Sequence, residues 1–438
     1  MELIYQHAPA TPVTRLGLIL PKTGVCLDPP DKRGLTRLTS QLMFRGAAGK
    51  SNEEINAQLE RLGASMWGSL SNDVVNLRLV SLTENLDQAL TLFMESIHAP
   101  NFDEEEFSRL HAETLSGWIS DREESSQLRA QETYLDLIFG NTALGYLPDG
   151  TLEGLKACTL ADVREHYQRF FQVERRLLAV LSDLSQQEVA QQVTSRITLP
   201  LATGRQPEFP WDGFSPSRPK ERRVWIVPDQ EPNTNEIFAG SFCARESSSD
   251  WHIHRMISFI FGGDMNSRLF RILRGEHGFS YGASCWFESS QGRTPRNQLS
   301  PFSLYTFPAT EHTEQALPMM LNLYEELVEK GVTDEEMELA RKALTLSYPF
   351  HRDTPNKLLS IKVGEALYGI VTDDDETNRR KLATVTPEDV LRVLRETHHP
   401  DQLGLVLMGD PNHLEPLARK LPGVTHIEIR DGHSTNQG

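Results

Sequence analysis

Of the 14 histidines in the chain, none stands in H-E-x-x-H or H-x-x-E-H. Those are the spacings that put two imidazoles on one helix face beside a carboxylate able to activate water. His252 and His254 alternate, and His398 and His399 are adjacent. Neither spacing pairs two metal ligands on a helix, so all four are expected at the surface. No G-x-S-x-G elbow and no G-x-x-x-x-G-K-[ST] phosphate loop occurs, and Gly262-Gly263 before Asp264 is too short for a dinucleotide fingerprint. The four cysteines, Cys26, Cys158, Cys243 and Cys285, form no C-x-x-C pair. A chain this long needs no disulfide framework, so they are expected as buried thiols, which points to a reducing compartment. By its motifs alone the chain is not a self-sufficient enzyme.

The elements that would position any site are legible. Ser51-Asn-Glu-Glu54 is a capping box leading into Ile55, Leu59 and Leu62, which share one helix face, and Gly63 is a stop. Thr159–Asp162, Thr333–Glu336 and Thr386–Asp389 repeat the Ser/Thr-x-x-acid start, with Pro387 at the favoured first helical position. Val74–Val80, Arg223–Val227 and Glu236–Gly240 read as strands. Residues 199–222 hold five prolines and two glycines without an apolar period and read as a linker. The two sides of that linker look alike. Thr159 and Thr386, Asp162 and Asp389, and Asp183 and Asp410 are each 227 residues apart, which points to a duplication. The expectation is an α+β fold of two homologous domains, 1–198 and 223–438, each a mainly antiparallel sheet covered by helices.

The 438 residues allow two to four domains at about 150 each. Against 44 Lys and Arg stand 61 Asp and Glu, a formal net charge of −17. Such a surface repels phosphate backbones and anionic lipid, which argues against nucleic acid and membrane partners. It suits a basic peptide if the acids line a binding wall, and reports solubility if they are spread over the outside. No stretch reaches the ~18 consecutive apolar residues of a membrane span. Met1–His7 lacks a basic region followed by an apolar run. As it stands the sequence points to the cytoplasm; a trimmed signal peptide would make it periplasmic.

Two segments carry a resemblance. Gly34-Leu-Thr-Arg-Leu-Thr-Ser-Gln-Leu-Met-Phe-Arg-Gly46 resembles the signature helix of the inverted zinc peptidases, the family of pitrilysin, insulin-degrading enzyme and mitochondrial processing peptidase. That helix usually reads Gly-Leu-x-His-x-x-Glu-His-Met-x-Phe-x-Gly. Here Arg37 stands in place of the first His, Ser40 in place of the water-activating Glu, and Gln41 in place of the second His. A remaining ligand of the family falls at Glu113. The second segment, Ser267-Arg-Leu-Phe-Arg-Ile-Leu-Arg274 followed by Gly278-Phe-Ser-Tyr281, is similar to the family's Ser-Arg-Leu-x-x-x-Leu-Arg and Gly-x-x-Tyr. Arg274 and Tyr281 match its Arg/Tyr pair. Val332–Lys342 and Val385–Val390 also look like late-domain motifs of the family.

The resemblance implies a non-catalytic subunit of a heterodimeric zinc peptidase. Its partner would be a homologous subunit bearing H-x-x-E-H and holding the zinc, with no metal and no other cofactor in this chain. Arg274 and Tyr281 would act in trans, binding the peptide and stabilising the oxyanion as water attacks. An unfolded peptide would be the substrate, and Ala64–Ser71 falls where the family has its edge strand. Two alternatives are a peptide-binding or scaffolding homologue with no proteolytic complex, and a companion subunit in the maturation of a peptide-derived cofactor such as pyrroloquinoline quinone.

Overall fold

Alternating apolar residues in each half of the chain produce strands with one face turned to a helical layer. The computed structural model describes residues 1–170, 175–197, 219–229, 233–292 and 294–430. In the first half, β1 (Glu2–His7), β2 (Val13–Pro21), β3 (Ser65–Leu70), β4 (Val74–Leu82) and β5 (Leu177–Ser182) form one sheet in the order β1-β5-β2-β4-β3. β1 runs parallel to β5 and the other neighbours are antiparallel. In the second half, β6 (Arg222–Pro228), β7 (Glu236–Ala244), β8 (Ser280–Phe287), β9 (Ser300–Pro308), β10 (Gly404–Gly409) and β11 (Val424–Ile429) take the order β11-β6-β10-β7-β9-β8.

Without β11 the two orders are the same, including the parallel pair, β6 with β10. The 227-residue offset carries β5 onto β10, and helix Leu160–Phe170 onto helix Pro387–Thr397, residue for residue. The duplication is therefore a repeat of topology as well as of motif. Its capping signals act as expected. Ser51, Thr333 and Thr386 each close a capping box, and Gly63 ends helix Asn52–Leu62 at φ 57°.

The chain divides into two compact units. Unit one comprises 1–120, 147–214 and 352–369; unit two comprises 121–146, 215–351 and 370–438. Each unit thus includes a helix from the other half of the sequence. Helix Pro355–Tyr368 lies on β1 and β5, and helix Ser126–Phe139 lies on β7 and β10. The expected linker at 199–222 falls mostly on residues outside the described ones.

In unit one, Leu16, Leu18, Leu20, Val75, Leu77, Leu79, Leu178 and Val180 face the helical layer and form the main core. Leu359, Val363, Ala366 and Leu367 cover part of the opposite face at Ile4, Ile19, Val74, Leu177 and Ala179. All four cysteines are buried thiols.

The histidines correct an expectation. His252 and His399 are half-buried, while His254 and His398 are buried. His254 lies on the inward face of helix Trp251–Ser258, its ring stacked on His398 at 5.8 Å. His398 Nδ1 is 2.8 Å from the Tyr324 hydroxyl. Their sequence spacing was silent because burial is decided by which helix face meets the sheet. Burial pushes His254 down to about 4. Between about pH 6.5 and 4 the unfolded chain binds the proton that native His254 refuses. Its stabilising contribution is complete above that window and is lost as pH falls through it, by up to about 1.4 kcal/mol per pH unit. Chemical denaturation across this range should therefore show a shallower acid slope for His254→Phe than for the native chain. Equal slopes would mean that His254 titrates normally.

Candidate functional site

Helix Leu35–Leu42 starts at Gly34, whose φ of 109° is open to glycine. Asp28 holds this start: its carboxylate accepts the Gly34 N–H at 2.8 Å, the Thr36 N–H at 2.7 Å and the Thr36 hydroxyl at 2.6 Å. His166 Nε2 is 2.8 Å from the same hydroxyl. The cluster is fully buried. Burial pushes Asp28 up to about 7 against the pull of its donors, and pushes His166 down to about 3. It is a buried clamp on the helix N-terminus with no opening to a substrate.

The three positions in place of zinc chemistry follow along this helix. Arg37 and Gln41, four apart on one side, are half-buried, and Arg37 makes no ion pair with a described residue. Ser40 is fully buried and its hydroxyl donates to the Arg37 carbonyl at 2.9 Å. Strand β3 presses on it: a Cβ at Gly68 would lie 2.5 Å from the Ser40 carbonyl oxygen. Glu113 sits on helix Glu104–Glu124, where its carboxylate accepts from Arg45 at 2.6 Å. That bond holds its carboxyl below the usual range. A cation, a buried hydroxyl, an amide and a carboxylate already engaged by arginine do not fit Zn²⁺, which takes imidazole, thiolate or free carboxylate. No cluster of three metal-ligating side chains occurs among the described residues.

In unit two the structure brings Arg274 and Tyr281 together. Arg274 lies at the end of the helical stretch Arg268–Glu276, and Tyr281 opens β8. Arg274 Nη1 donates to the Tyr281 carbonyl at 2.9 Å. Its guanidinium carbon stands 4.2 Å over the Tyr281 ring and 5.0 Å from that of Phe270. The neighbouring acid, Glu276, is taken by Arg271 instead. Both members of the pair face solvent, Tyr281 at 71% exposure. One donor of the guanidinium fork is therefore committed to the backbone while the group remains accessible, beside a phenol hydroxyl that can donate to an oxyanion.

An aromatic line that the sequence reading missed leads away from this pair. Tyr281 is 6.2 Å from Phe307, Phe307 5.5 Å from Tyr305, and Tyr305 4.6 Å from Phe238 and 6.4 Å from Trp286. At its inner end the Tyr305 hydroxyl donates to the buried Glu236 carboxylate at 2.7 Å. Burial raises both groups out of their ordinary ranges. These residues come from three strands, and only their register lines them up. In unit one, β3 is an edge strand, as expected for Ala64–Ser71.

Comparison with known proteins bears on the family and the fold. The profile described as insulinase (peptidase family M16) matches residues 2–147, and that described as peptidase M16 inactive domain matches 157–344. A Helicobacter pylori protein called non-peptidase homolog YmxG is 22% identical over 390 residues, covering 89% of this chain and 87% of that protein. The crystal structure of a peptidase M16 inactive domain from Pseudomonas fluorescens superposes with a TM-score of 0.78 at 20% identity, over 93% of this chain and 95% of that one. The periplasmic protease PqqL from Escherichia coli gives a TM-score of 0.74 at 17% identity, over 95% of this chain and 47% of that one. At these identities the two structures speak for the fold alone. No helix among the described residues is long and apolar enough to cross a membrane.

Proposed function

The chain belongs to the insulinase family, peptidase family M16, and from that premise we propose that it is the non-catalytic subunit of a heterodimeric zinc peptidase. In this reading a homologous partner bearing H-x-x-E-H holds the zinc, which polarises the scissile carbonyl and activates water. This chain holds no metal and supplies Arg274 and Tyr281, together with part of a peptide-binding surface. The guanidinium binds a substrate carbonyl and the phenol hydroxyl donates to the oxyanion. An unfolded peptide pairs with a free sheet edge such as β3.

One contrast carries the reading. The Arg/Tyr pair is assembled and open to solvent, whereas the helix resembling the zinc helix offers Arg37, Ser40 and Gln41. Reconstitution with the H-x-x-E-H homologue of the same source tests it. Zinc-dependent peptide hydrolysis is expected only when both chains are present, and elemental analysis of this chain alone should find no stoichiometric zinc. A partner fully active by itself, or one zinc per chain here, would sink the reading. The description of the YmxG relative as a non-peptidase homolog favours the second reading, a peptide-binding scaffold. Stable pairing without any hydrolysis would support it.

A further inference from the structure

Arg37 and Gln41 are the positions of helix Leu35–Leu42 that are not buried. They lie one turn apart and so share a side. The other sides are taken. Leu38 and Leu42 enter the core with Leu77 and Leu79 of β4. Ser40 meets β3: a Cβ at Gly68 would lie 2.5 Å from the Ser40 carbonyl oxygen and 2.8 Å from its Cβ. β3 is the last strand of its sheet, with β4 on its one paired side. Helical periodicity therefore brings Arg37 and Gln41 out on the side of β3 away from β4, along its free edge. Because Gly68 has no side chain, the helix rests on the strand backbone itself, and the polar pair stands close to the height of the sheet. Neither side chain is engaged by a described residue. The nearby carboxylate, Glu113, is taken by Arg45. A half-buried guanidinium is costly to hold without an anion or carbonyl to receive it.

We propose that this edge receives the C-terminal carboxylate of an extended peptide, with the peptide backbone paired to β3 and its end on the Arg37 guanidinium and the Gln41 amide. The side chains that do not fit Zn²⁺ fit an anion. The guanidinium offers parallel donors that match both carboxylate oxygens, and the Gln41 amide adds another donor beside them. A terminal carboxylate is carried on the backbone. In a strand added to β3 it stays near the plane of the sheet, where the polar pair stands, whereas acidic side chains point to one face or the other. The chain would therefore hold the free end of a peptide at the place where its zinc chemistry is missing, with no bond made or broken. The inference rests on the reading of β3 as a peptide edge. It goes beyond that reading in naming the group recognised and the residues that recognise it, and it does not involve Arg274 or Tyr281.

Fluorescence anisotropy on the full chain tests it with Ser-Val-Thr-Val-Thr-Val labelled at its N-terminus. The peptide is used as the free acid, as the C-terminal amide, and as an amide with Glu in place of the second Thr. The free acid should bind about tenfold or more tighter than the amide, the worth of a charge-assisted hydrogen-bonded pair. The internal Glu should not restore that difference. Arg37→Gln should bring the acid down to the affinity of the amide and leave the amide unchanged, while Arg37→Lys should keep part of the difference. A general loss of fold would weaken acid and amide alike, so their ratio reports the site. Gln41→Leu gives a second reading and should cut the ratio by about threefold. Arg274→Ala should alter neither affinity. An acid preference that stands while the two-chain mixture fails to hydrolyse peptide would remove the peptidase reading and keep this one. Equal binding of acid and amide, an internal Glu as effective as the free end, or an acid preference indifferent to Arg37→Gln would overturn the proposal and leave the peptidase reading intact. Failure of every peptide to bind would overturn it together with the β3 edge.

Discussion

In the reconstituted two-chain enzyme, Tyr281→Phe should lower kcat for peptide hydrolysis by about 10²–10³-fold, the cost of one oxyanion donor. The substitution is informative because of what it leaves in place. A phenylalanine ring still supports the Arg274 guanidinium, which stands 4.2 Å over it. The carbonyl that accepts from Arg274 at 2.9 Å is main chain and also remains. Only the hydroxyl is lost. A fall in kcat with KM little changed would assign that hydroxyl to the transition state, whereas unchanged kinetics would reduce Tyr281 to a support for Arg274. Arg274→Ala removes the fork itself and should lower kcat/KM by a comparable factor, with a larger share in KM because ground-state carbonyl binding is also lost. Arg274→Lys should not rescue it, since an ammonium can neither lie flat on the ring nor present a fork. Both residues are exposed, so thermal stability should stay within about 0.5 kcal/mol of the native chain.

The second large effect concerns stability. Gly34→Val should destabilise unit one by about 3 kcal/mol, combining a left-handed backbone that costs a branched residue about 1–2 kcal/mol with overpacking of about 1–3 kcal/mol. The backbone term follows from the φ of 109° at Gly34. The packing term follows because a Cβ there would lie 2.5 Å from Leu155 Cδ2. Gly117, in a helix with nothing within 4 Å of an added Cβ, is the control: Gly117→Ala should be neutral or stabilising by about 0.5–1 kcal/mol. Denaturant midpoints for the two variants check the pair, and a Gly34 variant as stable as the native chain would contradict it. The expected outcome explains how the glycine and apolar frame of the signature helix stands here without its metal chemistry. The frame serves the packing of helix Leu35–Leu42 against its neighbours, a requirement that remains when Arg37, Ser40 and Gln41 replace the ligand set.

Much of the site was legible for the same reason. Gly34–Gly46 and Ser267–Tyr281 are contiguous segments whose spacing sets a helix face or a helix-to-strand turn, so the sequence was enough to put Arg37, Ser40 and Gln41 on one helix and Arg274 close to Tyr281. What it could not supply was occupancy. Arg274 had Glu276 two residues away as a candidate partner; in the fold that acid goes to Arg271, and Arg274 turns onto the Tyr281 ring. His254 and His398 read as surface residues because no local pattern records that their rings stack on each other and that His398 meets the Tyr324 hydroxyl.

By itself the sequence determined the α+β class, the duplication at an offset of 227 residues, the helix caps and the loss of the zinc ligands. These depend on interactions between residues a few positions apart, or on the repetition of such patterns. The tertiary structure alone decided which helix covers which sheet, with Ser126–Phe139 and Pro355–Tyr368 each packed on strands from the opposite half of the chain. It also decided the strand register that aligns Tyr281, Phe307, Tyr305 and Trp286 in unit two. Register depends on pairing between strands distant in sequence, and a shift of one residue would turn each of these side chains to the opposite face.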